Sequence, residues 1–260
     1  MDRFEHNCIS YWLPKINQIV PTPTTVLVTL DRDIGHALFK AFDGEEIGPD
    51  GHKWINESLR PAVDVVGLPC FLRTGQTSHK HNWKETCYVT DVDRLTHHVL
   101  ALIEFSEICD MFGLPWHTWA VRKMLPTKPL AVLPAYGDMP LCRELRCFVR
   151  DGELQCAHPY WPPVAIEQGF PFVSKAAAMF GDVEPPPRML PSDFDELVRQ
   201  ATTFTEEELT IAIGLAKKAG AAVGGYWSVD VLDTERGWYV TDMAIGENSW
   251  HWPECEHAHA

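Results

Sequence analysis

GGYWSVDVLDTERGWYVTDMA, residues 224–244, carries two aspartates, Asp230 and Asp242, each inside a hydrophobic run. Tyr226 to Leu232 is rich in aromatic and β-branched residues and predicts a strand. Asp233-Thr234-Glu235-Arg236-Gly237 predicts a turn, and Trp238 to Met243 the return strand. Strands are depleted in Asp, and a carboxylate taken out of water needs a charged partner or a metal. Two carboxylates on paired strands suit a hard cation such as Mg²⁺, which takes oxygen ligands and shares itself with phosphates. The other reading is a hairpin whose aspartates face solvent.

Upstream lies Arg143-Glu144-Leu145-Arg146-Cys147-Phe148-Val149-Arg150-Asp151-Gly152. Leu145 to Val149 predicts a strand, Asp151-Gly152 a hairpin turn, and Glu153 to His158 the returning strand. Glu144 and Arg146 are two residues apart and share a face. They read either as a surface pair or as an Arg turned to a phosphate with a Glu orienting it.

A third concentration of chemistry runs from Pro69 to Lys84. Val65 to Leu72 is apolar and predicts a buried strand. Arg73 ends it, and Lys80 and Lys84 follow in a loop with Gly75, Thr77 and Ser78. Cations beside hydroxyls and flexible backbone suit phosphate oxygens; a solvated basic loop is the competing reading. The loop lacks the GxxxxGK[ST] pattern of a P-loop. His79-Lys80-His81 lacks the spacing of a zinc site, which needs three or four convergent ligands.

The rest of the chain supplies a mixed framework. Residues 10–19 predict a short helix stopped by Pro21-Thr22-Pro23, and Thr25 to Leu30 a strand. Segment 31–64 gives no clear assignment. Asp93 to Phe112 has helical periodicity with Gly113 as its stop, and Trp119 to Leu125 reads as a strand. Asp182 to Pro191, with three successive prolines, reads as a rigid connector. Thr205-Glu206-Glu207-Glu208 matches a capping box opening a helix to about Ala219, with Gly220 as its stop. Helices and strands mix without regular alternation, so the class is α+β or mixed α/β.

Composition narrows the partners. A length of 260 residues allows one large domain or two small ones, and 45% hydrophobic residues can fill a sizeable core. The formal charge of −14 argues against a general nucleic-acid or membrane-surface binder. No apolar run approaches the roughly 20 residues of a membrane helix. The N-terminal MDRFEHNCISYW is not a secretory signal. The 8 cysteines form no CxxC pair and read as reduced thiols, with a disulfide framework as the minor reading. A cytoplasmic location is expected, in a host cell's cytoplasm if the chain is phage-encoded.

Together the three pieces resemble the ATP-grasp family. Thr77-Ser78-His79-Lys80-His81-Asn82-Trp83 resembles the Ser-x-x-Lys-Asp-x-Trp loop of the cell-division-cycle translation-factor chaperones and their phage and bacterial relatives. ELRCFVRDG resembles that branch's Glu-Phe-Arg-x-Phe-Val-x-x-Gly strand, and the closing hairpin its two metal-binding strands. The resemblance covers about residues 65–252. It implies two α+β lobes, residues 1–115 and 116–260, holding a nucleotide between them. It implies phosphate contacts from Arg73, Lys80 and Arg146, with Lys84 in reserve for Lys80, and adenine contacts from the hinge Val121, Arg122, Lys123, Met124 and Leu125. Mg²⁺ would be held by Asp230 and Asp242. The usual third ligand is an Asn where this chain has Ala244, so Glu247, Asn248 or Ser249 would replace it. Lys123 stands where the family usually has an acid.

The implied activity is ATP-dependent ligation of a carboxylate to an amine through an acyl phosphate. Arg146 and Glu144 would be its catalytic residues, and His158, Tyr160 and Trp161 would line the acceptor side. The substrate would be a small-molecule or peptide carboxylate and amine. The alternative is a nucleotide-binding assembly chaperone with a protein partner and no ligase turnover. A separate reading makes the tail His251 to His259, with Cys255 and His257, a metal-binding segment.

Overall fold

The computed structural model describes residues 3–41, 46–109, 113–172 and 188–257. Two short helices, α1 (Arg3–Asn7) and α2 (Ile9–Ile16), come first, and the proline-bounded segment after them leads into β1 (Thr25–Thr29). The stretch without a clear sequence pattern contributes helices: α3 (Arg32–Lys40), α4 (Pro49–Trp54), a π-helical turn (Ile55–Leu59) and α5 (Arg60–Val66). β2 (Cys70–Thr74), β3 (Tyr88–Val89), α6 (Leu95–Ile108) and β4 (Thr118–Lys123) complete the first lobe. Its antiparallel sheet has the order β1-β4-β2-β3. Leu72, Trp119 and Val121 on that sheet pack with Leu59 and Val63 from the helical stretch and with Val99 and Ile103 of α6.

A two-stranded ribbon, β5 (Ala131–Leu133) and β6 (Met139–Leu141), precedes the second lobe. That lobe holds β7 (Glu144–Arg150), β8 (Glu153–Pro159), α7 (Pro163–Gln168), α8 (Phe194–Thr202), α9 (Glu206–Val223), β9 (Tyr226–Thr234) and β10 (Gly237–Ile245). The four strands order as β10-β9-β7-β8, all antiparallel. Strand alternation splits the sheet's chemistry. Leu145, Cys147, Val149, Val229 and Val231 turn to one face, where Ala212, Ala216 and Ala219 of α9 and Ile9, Trp12 and Ile16 of α2 cover them. Glu144, Arg146 and Asp230 belong to the opposite face. The family-level expectation of an α+β two-lobed fold is met, and α2 adds a helix from the start of the chain to the second lobe's core.

Several local expectations need correction. Val65 and Val66 end α5 rather than begin a strand; Gly67, at φ 82°, breaks the helix, and pairing starts only at Cys70. β4 pairs within the first sheet, so the expected lobe boundary at 115/116 falls ahead of a strand of the first lobe, whose sheet closes at Lys123. Gly220 is not the stop of α9, which runs on to Val223 with Gly224 at φ 74°. Gly220 instead sits where an added Cβ would lie 2.4 Å from Val149 Cγ2, so it permits close helix–sheet approach. The final hairpin turns on two residues, Glu235 and Arg236. Phe112 and residues 182–187 of the proline connector lie outside the described residues. The 8 cysteines form no disulfide.

Candidate functional site

A cavity of about 460 Å³ opens between the two lobes. The first lobe contributes Arg73 at the end of β2, the loop Gln76–His81, and Arg122 to Leu125 where the chain leaves β4. The second contributes Glu144, Tyr160, Trp161, Asp230, Thr241 and Asp242. One part of the lining is apolar: Phe71, Trp83, Met124 and Met139 belong to one packed cluster. The other part is charged.

The charged part follows from strand register. Arg146 on β7 lies directly across from Asp230 on β9, and Asp230 directly across from Asp242 on β10. A bulge at Thr241 makes the second alignment, since Val240 pairs with Val231 and Asp242 with Asp230. Both hairpin aspartates therefore face the cavity rather than opposite sides of the sheet. Arg146 grips Asp230 with two hydrogen bonds, Nε to Oδ1 at 2.7 Å and Nη2 to Oδ2 at 2.8 Å. Arg73, only 4% exposed, reaches across from the first lobe and donates to Asp242 Oδ1 at 2.7 Å. Lys80 Nζ approaches Glu144 Oε2 at 3.5 Å and lies 3.8 Å above the Tyr160 ring. Thr241 Oγ1 donates to Glu144 Oε1 at 3.1 Å. Arg122 is buried, donating to Thr25 Oγ1 and the Thr241 carbonyl, while its Nη2 has no hydrogen-bond partner.

Each charge is tuned by its neighbours. Burial pushes the Glu144 carboxyl up and Asp230 adds to the effect; Lys80 and Arg146 oppose it without reversing it. Burial raises Asp242 as well, but there Arg73 and Arg122 prevail and the net shift is downward. Burial pulls Lys80 down, yet Glu144, Tyr160 and Asp230 outweigh it and hold the ammonium charged. Burial and the neighbouring Arg73 lower Arg122 to about 9, the unusual position for a guanidinium squeezed against a second one. Such perturbed groups converging in a cleft make it the candidate functional site.

The expected residues separate on this geometry. Arg73, Lys80, Arg122, Lys123, Met124, Leu125, Glu144, Asp230 and Asp242 line the cavity. Val121 points into the first lobe's core. Lys84 pairs with Asp138 on the surface, away from the lining. Arg146 stands behind Asp230 rather than in the open cavity. Glu247 and Asn248 are exposed on a 3₁₀ turn past the end of β10, and neither lines the cavity. His158 on β8 lies directly across from Arg146 on β7 but outside the lining, whereas Tyr160 and Trp161 are in it. Phe71, Phe105, Met139 and Thr241 were not singled out from sequence; for Leu232, also in the lining, spacing of two from Asp230 was an available signal.

Residues 65–256 match the family model of an ATP-grasp domain, family 3 of its clade. The chain belongs to this family. Among solved structures, this ATP-grasp chain resembles C-terminally truncated Cdc123 from Schizosaccharomyces pombe, at 13% identity and a TM-score of 0.51, over 94% of this chain and 84% of that one. A RimK domain ATP-grasp protein from Sphaerobacter thermophilus aligns at 13% identity and a TM-score of 0.45, over 94% of this chain and 59% of that one. D-alanine–D-alanine ligase from Bacillus anthracis aligns at 12% identity and a TM-score of 0.45, over 92% of this chain and 55% of that one. The chain thus spans just over half the length of the last two. Likeness at these identities speaks to fold alone. No curated protein matches the chain. None of its described helices is long and apolar enough to cross a membrane.

Proposed function

We propose that the chain binds ATP with Mg²⁺ in the cavity between its lobes and joins a carboxylate to an amine. The observation that carries this reading is the row Arg146–Asp230–Asp242 on one lobe meeting Arg73 from the other at 2.7 Å. Adenine would lie against Phe71, Met124 and Met139, and the triphosphate would run toward Arg73, Lys80 and Arg122. Phosphate oxygens are better partners for a buried guanidinium fork than a single carboxylate oxygen. On binding, Arg73 would turn from Asp242 to phosphate, leaving Asp242 free for a cation. The orphaned Nη2 of Arg122 would gain an acceptor.

The donor set fits a hard cation. Asp230 and Asp242 are opposed on neighbouring strands, and Glu144 faces the same cavity, all of them oxygen ligands. Glu144 and water, rather than the exposed Glu247 or Asn248, would complete the shell. Mg²⁺ when bound would neutralise phosphate charge. The chain's own groups do the rest. Arg73 and Lys80 would hold the γ-phosphoryl group as it passes to the carboxylate oxygen and ADP departs. The amine nitrogen would then attack the acyl carbon and expel phosphate. The amine's proton would leave to solvent, while Glu144, held by Lys80 and Thr241, stays on the cation. Arg146 would keep Asp230 in place.

One observation favours a second reading, a nucleotide-binding assembly module without turnover. Ala244 occupies the usual third-ligand position, and the neighbouring candidates are turned away from the cavity. Two measurements decide. Saturating Mg-ATP at 100 times its Kd should stabilise the fold by about 2.7 kcal/mol; an unmoved melting temperature with no calorimetric heat would sink both readings. Phosphate release that requires both a carboxylate and an amine supports the ligase, and binding without such turnover supports the module.

A further inference from the structure

We propose that Cys156, His158, His251 and Cys255 form a structural Zn²⁺ site that staples the C-terminal tail to β8. The four side chains come from two distant stretches of chain, and their ligand atoms all lie within 4.8 Å of one another. Tetrahedral zinc, with bonds of about 2.3 Å to sulfur and about 2.0–2.1 Å to nitrogen, sets ligand atoms roughly 3.3–3.8 Å apart. Cys156 Sγ and His251 Nδ1 are already 3.6 Å apart. Side-chain rotation closes the remainder.

The local sequence makes this convergence possible. Cys156 and His158 are two apart on β8 and so share a face. Phe148 pairs with Cys156, and the His251 ring stacks on Phe148 with centroids 3.5 Å apart. Trp252 stacks on His158 and donates its Nε1–H to the Pro159 carbonyl at 3.0 Å. A turn from Trp252 to Cys255 then brings the second thiol back over the strand.

Three further observations point to a metal. His158 Nε2 is buried with no hydrogen-bond partner. The outer nitrogen of His251, Nε2, is held at 3.2 Å by the Tyr226 hydroxyl, the arrangement that orients a metal-bound imidazole. The His257 backbone N–H donates to Cys255 Sγ at 3.4 Å, a contact that steadies a thiolate. Two sulfurs and two imidazoles select zinc over hard cations, and four protein ligands leave no open position for catalysis. The tail considered from sequence supplies two of these side chains, His251 and Cys255, and β8 the other two.

The site is independent of nucleotide. The untagged 260-residue chain, purified with zinc in the medium, should carry one Zn²⁺ per molecule by elemental analysis. Co²⁺ exchanged into it should show the visible d–d bands of a tetrahedral centre with thiolate-to-cobalt charge transfer. Cys156→Ser and His251→Ala should each lower zinc affinity at least tenfold, and Tyr226→Phe about 10–100-fold through the outer shell; the exposed Cys109→Ser should change nothing. The cobalt spectrum of the unaltered chain stands even if a variant fails to fold. Absence of bound zinc and of the cobalt bands would overturn the proposal, as would a Cys156–Cys255 disulfide, seen as six titratable thiols instead of eight in metal-free protein.

Discussion

Arg73 and Lys84 look alike in sequence, two cations in one loop region, yet their surroundings give them opposite prospects. Arg73 is 4% exposed and spans the lobes to Asp242, whereas Lys84 and Asp138 form a surface pair with side chains about half exposed. Exposed pairs contribute about 0–1 kcal/mol, and a buried charge-assisted contact about 1.5–3 kcal/mol. Arg73→Ala should therefore weaken Mg-ATP binding by roughly tenfold or more. Lys84→Ala should leave the Kd within about twofold. Isothermal calorimetry on both variants checks this; equal losses would mean that the loop acts as a diffuse basic surface. The same contrast marks the limit of sequence at this scale. The residue types and their spacing named the cations and acids, but burial, which ranks them, depends on what packs above them.

At the scale of elements, α9 shows how a local signal and a tertiary one combine. The Thr205 hydroxyl accepts from the Glu208 backbone N–H, and the Glu208 carboxylate accepts from the Thr205 backbone N–H at 2.7 Å, the box that the sequence announced. Glu208 has a second role that no local pattern contains: it receives the Arg143 guanidinium from the start of β7. That hydrogen bond, with the cap, draws the Glu208 carboxyl down to about 2. A depressed folded-state value stabilises above the unfolded value of about 4.3 and is lost as the pH falls toward 2. The melting-temperature gap between the native chain and Glu208→Gln should accordingly be largest above about pH 5 and should narrow steadily below about pH 4. A gap that grows on acidification would refute the ion-pair account. Gly220 tests the packing on the helix's other side. Its missing Cβ leaves room for Val149, so Gly220→Ala should cost about 1–3 kcal/mol despite alanine's better helix propensity. Adding Val149→Ala should recover part of that loss in a urea melt. If Gly220→Ala alone stabilises, the close contact is not limiting.

Across the whole molecule the two lobes are tied by more than the charged row. The Ile9 backbone N–H donates to the Gly75 carbonyl beside the first lobe's loop, at 2.9 Å. Asn7 Oδ1 accepts from the Ile245 N–H at the end of β10, also at 2.9 Å. Just past these anchors Trp12 is fully buried against the second lobe's sheet and α9. Truncating such a residue typically costs about 3–5 kcal/mol. Trp12→Ala should thus destabilise the second lobe by that order in a urea melt, although Trp12 is not part of the cavity lining. A loss below about 1 kcal/mol would show that the N-terminal helices only rest on the surface.

The sequence by itself determined what depends on near neighbours along the chain. The hairpin around Glu235, the shared face of Glu144 and Arg146, the strand pair turning at Asp151-Gly152 and the cap of α9 are set by period, turn residues and hydrogen bonds a few positions apart. Tertiary structure alone decided which of those elements meet. Arg146 finds Asp230 across 84 residues, Lys80 finds Glu144 across 64, and Cys156 finds His251 across 95. It also decided that residues 32–40 and 49–64 become helices, because their apolar positions match no clean period and are arranged by the sheet they cover. The bulge at Thr241, which sets Asp242 opposite Asp230, belongs to the same class. Strand neighbours and register are chosen by the burial of both sheet faces together. That free energy exists only once the lobes have assembled, and no local pattern can encode it.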